Sequence, residues 1–137
     1  MNQENFDRLK NLTDKELIID INNVEEKTLS LPSTYQKYLK IYIVELKKLK
    51  ALKTKVKWKY GKLYHYYRHE HEFSHEKKAE IEPAINANDE YYDMVMEMND
   101  QSDVVEYLEK FLEQLKTAGF AVKSYIELLK LKHGMNV

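Results

Sequence analysis

Only three glycines and two prolines punctuate a chain of 137 residues. A β-sandwich or barrel needs a turn every ~8–12 residues, and turns draw heavily on glycine and proline. An all-β fold is therefore excluded, and long helices remain. Cysteine is absent, so disulfides, thiol nucleophiles and thiolate–zinc sites are out of reach. No apolar run approaches the ~18–20 residues that span a bilayer. The opening MNQENFDRLK lacks the basic-then-apolar pattern of a signal peptide. With 33% charged residues and a mean hydropathy of −0.69, the expectation is a soluble helical protein.

The net charge of −1 conceals a strong segregation. Residues 1–36 carry net −3, residues 37–68 carry net +10, and residues 69–137 carry net −8. The central block holds eleven basic groups against Glu45 alone. Like charges packed along a helix repel, so such a block calls for a counter-charge. Two sources suit it: a polyanionic ligand, or acidic segments of the same or a neighbouring subunit.

The stretch 1–32 reads as a polar N-terminal segment without an assigned role. Thr13 with Glu16 three residues on predicts the capping box of a short helix there. Leu29-Ser30-Leu31-Pro32 breaks the pattern, and Ser33 with Gln36 predicts a new helix start. From there Tyr35, Tyr38, Leu39, Tyr42, Leu46, Leu49, Val56, Tyr60, Leu63 and Tyr67 fall on one stripe of a 3.6-residue helix. So narrow a stripe needs partner helices. Gly61 either bends this helix or ends it. Residues 62–86 read as a connector, with a short helix near 74–81. Another segment follows at 89–98, and Ser102 or Asp103 is expected to cap the next helix. That helix presents Val104, Tyr107, Leu108, Phe111, Leu112 and Leu115, and Gly119 either ends it or is spanned. Gly134 suits the position just past the last helical turn. The segments are thus 1–32, a basic helix with its His/Tyr-rich connector at 33–75, and an acidic helical region at 76–137, within one structural domain.

On a helical wheel Lys37, Lys48, Lys55, Lys59 and Lys62 cluster within about 60°, away from the apolar stripe. Trp58 lies beside them, and Tyr66 joins them if helix persists past Gly61. Single-strand binders combine phosphate-tracking cations with aromatic faces that stack bases. An indole among lysines fits that use; packing into a subunit contact is the other reading. Lysine is a point charge, so no sequence selectivity is expected.

His71-Glu72-Phe73-Ser74-His75 matches H-E-x-x-H, a zinc-binding pattern on helices that makes His71 and His75 weak metal-ligand candidates. His65 and His69 add a second i,i+4 pair. Four histidines within residues 65–75 make a chance match easy, and no third ligand is evident. No catalytic constellation and no cofactor are expected, and the chain reads as a non-enzyme.

Three stretches together resemble a known family. Ala51-Leu52-Lys53-Thr54-Lys55-Val56-Lys57-Trp58-Lys59-Tyr60-Gly61 resembles the lysine-rich motif of the UvsY recombination mediators of T-even-like bacteriophages. Ile85-Asn86-Ala87-Asn88-Asp89-Glu90 is similar to the family's acidic stretch. Tyr107-Leu108-Glu109 through Gly119-Phe120-Ala121-Val122-Lys123-Ser124-Tyr125-Ile126 to Gly134 resembles its C-terminal pattern. The resemblance covers roughly 33–134. Lys53 and Lys55 occupy the two basic places of the family's Lys-Ala-Arg-Leu motif, with Thr54, Lys55 and Val56 as departures. Losing the arginine removes a planar fork and shifts the load to other lysines.

The resemblance implies an all-α protein: a long basic helix plus C-terminal amphipathic helices, assembled into a ring-like homo-oligomeric helical barrel, hexamer- or heptamer-like. It implies single-stranded DNA binding and loading of a RecA-like recombinase in exchange with the phage single-strand-binding protein. The expected location is the cytoplasm of the infected bacterial host, with no membrane contact. Residues and resemblance together nominate Lys48, Lys53, Lys55, Lys57, Trp58, Lys59, Lys62 and Tyr66 for DNA binding. Tyr107, Leu108, Phe111, Leu112, Leu115, Phe120, Val122, Ile126 and Leu129 are nominated for oligomerisation. The competing expectation is a helical scaffolding protein whose basic helix pairs with acidic partners.

Overall fold

A computed structural model describes residues 1–20, 22–70 and 78–134, with the side chain of Lys78 not included. The described residues are helical, without strands: α1 (Gln3–Glu16), α2 (Val24–His65), a π-helical turn (Tyr66–Glu70), α3 (Lys78–Asn86) and α4 (Asp89–Lys132). None of these helices is long and apolar enough to cross a membrane. The chain divides into two compact units, the first built from two separated stretches of sequence and the second from one continuous stretch.

The first unit comprises residues 1–44 and 106–137. Helix α1 starts at Asn2, whose side chain accepts from the Asn5 N–H at 2.8 Å. The capping role expected of Thr13 is therefore not realised. Thr13 is fully buried in the body of α1, where its hydroxyl donates to the Lys10 carbonyl and meets the Tyr107 hydroxyl. Phe6 adds an edge-on contact to Tyr107, with ring centroids 5.6 Å apart. The polar segment 1–32 is thus tied to α4 by aromatic and hydroxyl contacts. At the other end of α1, Lys27 donates to the Glu16 carbonyl and pairs with its carboxylate at 3.5 Å.

Helix α2 begins nine residues before the expected Ser33. The Asp20 carboxylate accepts from the N–H groups of Asn22 and Asn23, and the Asn23 carbonyl accepts from Lys27 at 2.9 Å. Glu25 and Glu26 in the first turn complement the helix dipole. Pro32 lies inside the helix, although it has no N–H for the Thr28 carbonyl and ordinarily costs about 3 kcal/mol or more there. Burial explains why the helix carries through: Val24, Leu31 and Tyr38, at seven-residue steps, are all buried. Tyr38 packs edge-on against Phe111 at 4.8 Å, a pairing worth about 0.5–1.5 kcal/mol beyond area.

The second unit spans residues 45–105. Its core joins Leu63 with Ile81 and Ile85, flanked by Tyr60, Tyr64, Tyr67 and Tyr91. Pro83, expected in a connector, sits inside α3. The part of the expected 74–81 helix at 74–77 lies outside the described residues. Gly61 does not end α2; the helix runs on to His65.

Helix α4 is a single element of 44 residues. Its cap is Asn88, whose side chain accepts from the Tyr91 N–H at 3.0 Å. The expected cap at Ser102 or Asp103 is absent because Gln101, Val104 and Val105 around it are buried and hold the helix through. Gly119 is spanned. Gly134 follows the last turn with φ +70°, and its N–H donates to the Leu131 carbonyl.

Candidate nucleic-acid interface

The roll of α2 in the second unit is set by its apolar positions. Leu49 and Leu63 are buried, and Val56 and Tyr60 are half-buried. The Tyr60 ring sits 6.1 Å from Tyr91, and its hydroxyl donates to the Glu82 carboxylate at 3.3 Å. With that side fixed, the charged positions between them face water. Lys47, Lys48, Lys50, Lys53, Lys55, Lys57 and Lys62 are exposed.

Two of the nominated lysines already have acidic partners. Lys48 pairs with Glu45 at 3.2 Å. Lys59 is half-buried and pairs with the carboxylate of Glu90, in the first turn of α4. The Lys59 hydrogen bond and charge hold the Glu90 carboxyl below its ordinary range. Among the described residues, Lys47, Lys50, Lys53, Lys55, Lys57 and Lys62 form no ion pair. Lys48, Lys55 and Lys62 recur every seven residues, about 10 Å apart along the axis. Lys50 and Lys57 recur likewise on the opposite flank of the solvent face. Lys47 and Lys50 belong to the same surface although the motif reading passed over them; their signal was the charge block itself.

Trp58 lies between these flanks with 62% of its surface exposed. Lys62 Nζ stands 5.7 Å from the centre of its ring, within cation–π range. Tyr66 is also exposed, but it belongs to the π-helical turn and packs edge-on against Tyr67 at 5.2 Å. The H-E-x-x-H stretch with His71 and His75 lies outside the described residues. The His65 and His69 rings lie 4.9 Å apart, tilted by 49°, and no group of three metal-ligating side chains gathers among the described residues.

Glu45 is the one acid of the basic block, and it is buried. Gln101 Nε2 donates to both its carboxylate, at 2.7 Å, and its main-chain carbonyl, at 2.9 Å. Burial alone would raise the Glu45 carboxyl; the hydrogen bonds from Gln101 and Lys48 outweigh it and lower the pKa.

The residues nominated for oligomerisation divide sharply. Leu108, Phe111, Leu112, Leu115 and Val122 are buried within the chain itself, and Tyr107 is engaged by Phe6 and Thr13. Their periodicity reports the chain's own core, which the sequence pattern does not distinguish from a subunit contact. Phe120 is 73% exposed, and Leu29, Leu128 and Leu131 are exposed too. Val122 and the half-buried Ile126 join Leu31, Pro32, Tyr35 and Leu115 around an open apolar groove of about 500 Å³. Leu129 lines an adjoining hollow with Val24 and Leu29.

Residues 12–135 match the protein family described as recombination, repair and ssDNA binding protein UvsY. The chain belongs to the UvsY family. Its fold is similar to crystal structures of the bacteriophage T4 recombination mediator protein UvsY. One crystal form (lattice type II) gives a TM-score of 0.83 at 16% identity, covering 97% of this chain and 98% of that one. Another (lattice type IV) gives 0.80 at 16% identity, covering 93% and 98%. Curated protein sequences give no significant match. The UvsY likeness of residues 33–134 read from the motifs thus extends further toward the N-terminus, to residue 12.

Proposed function

We propose that this UvsY-family chain is a recombination mediator that holds single-stranded DNA on the lysine-rich face of α2. It promotes loading of a RecA-like recombinase in exchange with the phage single-strand-binding protein, in the cytoplasm of the infected host. The observation that carries the reading is the set of exposed lysines around Trp58, six of them without an acidic partner among the described residues. Each phosphate neutralised releases condensed counterions, so unpaired lysines favour a polyanion most where none is yet compensated. Among the described residues, the chain's own acids account for Lys48 and Lys59 and leave Lys47, Lys50, Lys53, Lys55, Lys57 and Lys62 unmet.

Exposed apolar surface supports the assembly that this reading includes. The exposed Phe120, Leu128 and Leu131, with the groove beside Pro32, form apolar surface of the kind that a second copy covers. A ring of such chains, hexamer- or heptamer-like, would repeat the lysine face around one strand and add avidity without a tight single site.

The test is recombinase loading. A strand coated with the phage single-strand-binding protein is offered to the RecA-like recombinase with and without this chain. The reading expects the lag in DNA-dependent ATP hydrolysis to shorten when the chain is present. An unchanged lag, with the chain bound to the strand, would leave a binding protein that is not a mediator.

A further inference from the structure

Trp58 and Gly61 stand about one turn apart on the solvent side of α2. Trp58 is the chain's single tryptophan. An indole left in water forgoes one of the largest burial gains any side chain offers. Side chains on a helix lean toward its N-terminus, so positions 61 and 62 are the ones that can fold back over position 58. Position 62 does so: Lys62 Nζ lies 5.7 Å from the indole centre. Position 61 is glycine, and a Cβ there would meet nothing within 4 Å.

Packing therefore does not require glycine at 61. Backbone geometry does not require it either, because the helix continues to His65 and Gly61 has no positive φ. Helix propensity speaks against it, since alanine is the better residue in a helix interior. What the absence of a long side chain does at this place is leave that side of the indole without a cover.

We infer that Gly61 keeps a face of Trp58 open as a stacking seat for one unpaired base of single-stranded DNA. Lys57 and Lys62, exposed on either side, meet the phosphates that flank that base. The occupant follows from charge and shape. The lysines select a polyanion, and only an unpaired base offers a free face to an indole, since duplex bases are already stacked. This inference rests on the single-strand-binding reading of the same helix and adds to it a residue whose role is clearance.

The experiment follows Trp58 fluorescence during titration with oligothymidylate and with an abasic strand of equal length, for wild type, Gly61→Ala and Gly61→Leu. The methyl of alanine is too short to cover the ring. Gly61→Ala should raise the thermal midpoint and keep the quenching. Leucine reaches back over the indole: Gly61→Leu should fold at least as well as wild type yet lose the thymidylate-dependent quenching. Its affinity should fall about tenfold, within the range one stacked base supplies. Binding of the abasic strand, held by lysines alone, should be the same in all three proteins. Wild-type quenching and affinity in Gly61→Leu would overturn the seat, as would wild-type binding of oligothymidylate with no change in fluorescence. Failure of wild type to bind either strand would instead overturn the single-strand reading beneath it.

Discussion

The ammonium of Lys59 is held by the carboxylate of Glu90, thirty-one residues away in sequence. Lys59 lies in the middle of the basic face, so one of its cations is already neutralised by the chain. Glu90 is 77% exposed at its side chain, so the carboxylate end of the pair faces water although Lys59 is half-buried. A phosphate of the proposed strand would therefore compete with the carboxylate for the same lysine, with Glu90 as the internal competitor.

Replacing Glu90 by Gln should free Lys59 for the strand. Affinity for oligothymidylate should rise a few-fold, and the slope of log affinity against log salt should steepen by about 0.7 if one more phosphate is neutralised. Acid acts in the same direction. The Glu90 carboxyl is lowered by its hydrogen bond to Lys59, so the pair persists as pH falls through the ordinary carboxylate range and is released only on falling through the lowered value. Affinity of wild type, but not of Glu90→Gln, should gain from that release; parallel profiles would count against the competition.

The buried Glu45 carries a stability prediction. Its lowered carboxyl contributes stability that is complete above the unfolded-state pKa and lost as pH falls through the folded-state value. Urea unfolding at fixed protein concentration should show wild type losing stability below about pH 4.3, the ordinary glutamate value. Glu45→Gln should cost about 1.5–3 kcal/mol at neutral pH, the range for a hydrogen bond to a charged group. It should also flatten the acid limb. An equal pH dependence in both proteins would remove the carboxylate from that role.

Two phenylalanines on α4 should behave oppositely. Phe111 is buried against Tyr38, so Phe111→Ala should lower stability by about 3–5 kcal/mol. Phe120 is exposed, so Phe120→Ser should leave chain stability within about 0.5 kcal/mol when compared at equal oligomeric state. In sedimentation, Phe120→Ser should shift the assembly toward smaller species. A Phe120→Ser protein that sediments as wild type would remove this face from the subunit contact.

The register of α2 was legible because its stripe from Tyr35 to Tyr67 has helical spacing and the structure buries or half-buries those positions. Its start was not legible. Pro32 and the Ser33–Gln36 pair are strong local signals, yet burial of Val24 and Leu31 on the same stripe carries the helix across them. The continuity of α4 was hidden in the same way, since Ser102 and Asp103 look like caps to a local reading while Val104 and Val105 are core. The periodicity of 104–126 revealed a buried face but not whose helices bury it. The Lys59–Glu90 pair lay beyond reach altogether, because no spacing rule relates residues on different helices. The basic face itself was fully visible, since eleven cations against one acid is a matter of counting.

The central claim is that the exposed lysines of α2 neutralise the phosphates of single-stranded DNA. Its most direct test is the affinity for oligothymidylate across a salt series, for wild type and for a protein with Lys53, Lys55 and Lys57 all changed to Ala. These three are exposed and form no ion pair among the described residues, so their removal should leave the thermal midpoint nearly unchanged. Binding by the triple variant should be weaker, with a log–log slope flattened by about 0.7 for each lost phosphate contact. Unchanged affinity and slope in the folded triple variant would contradict that claim.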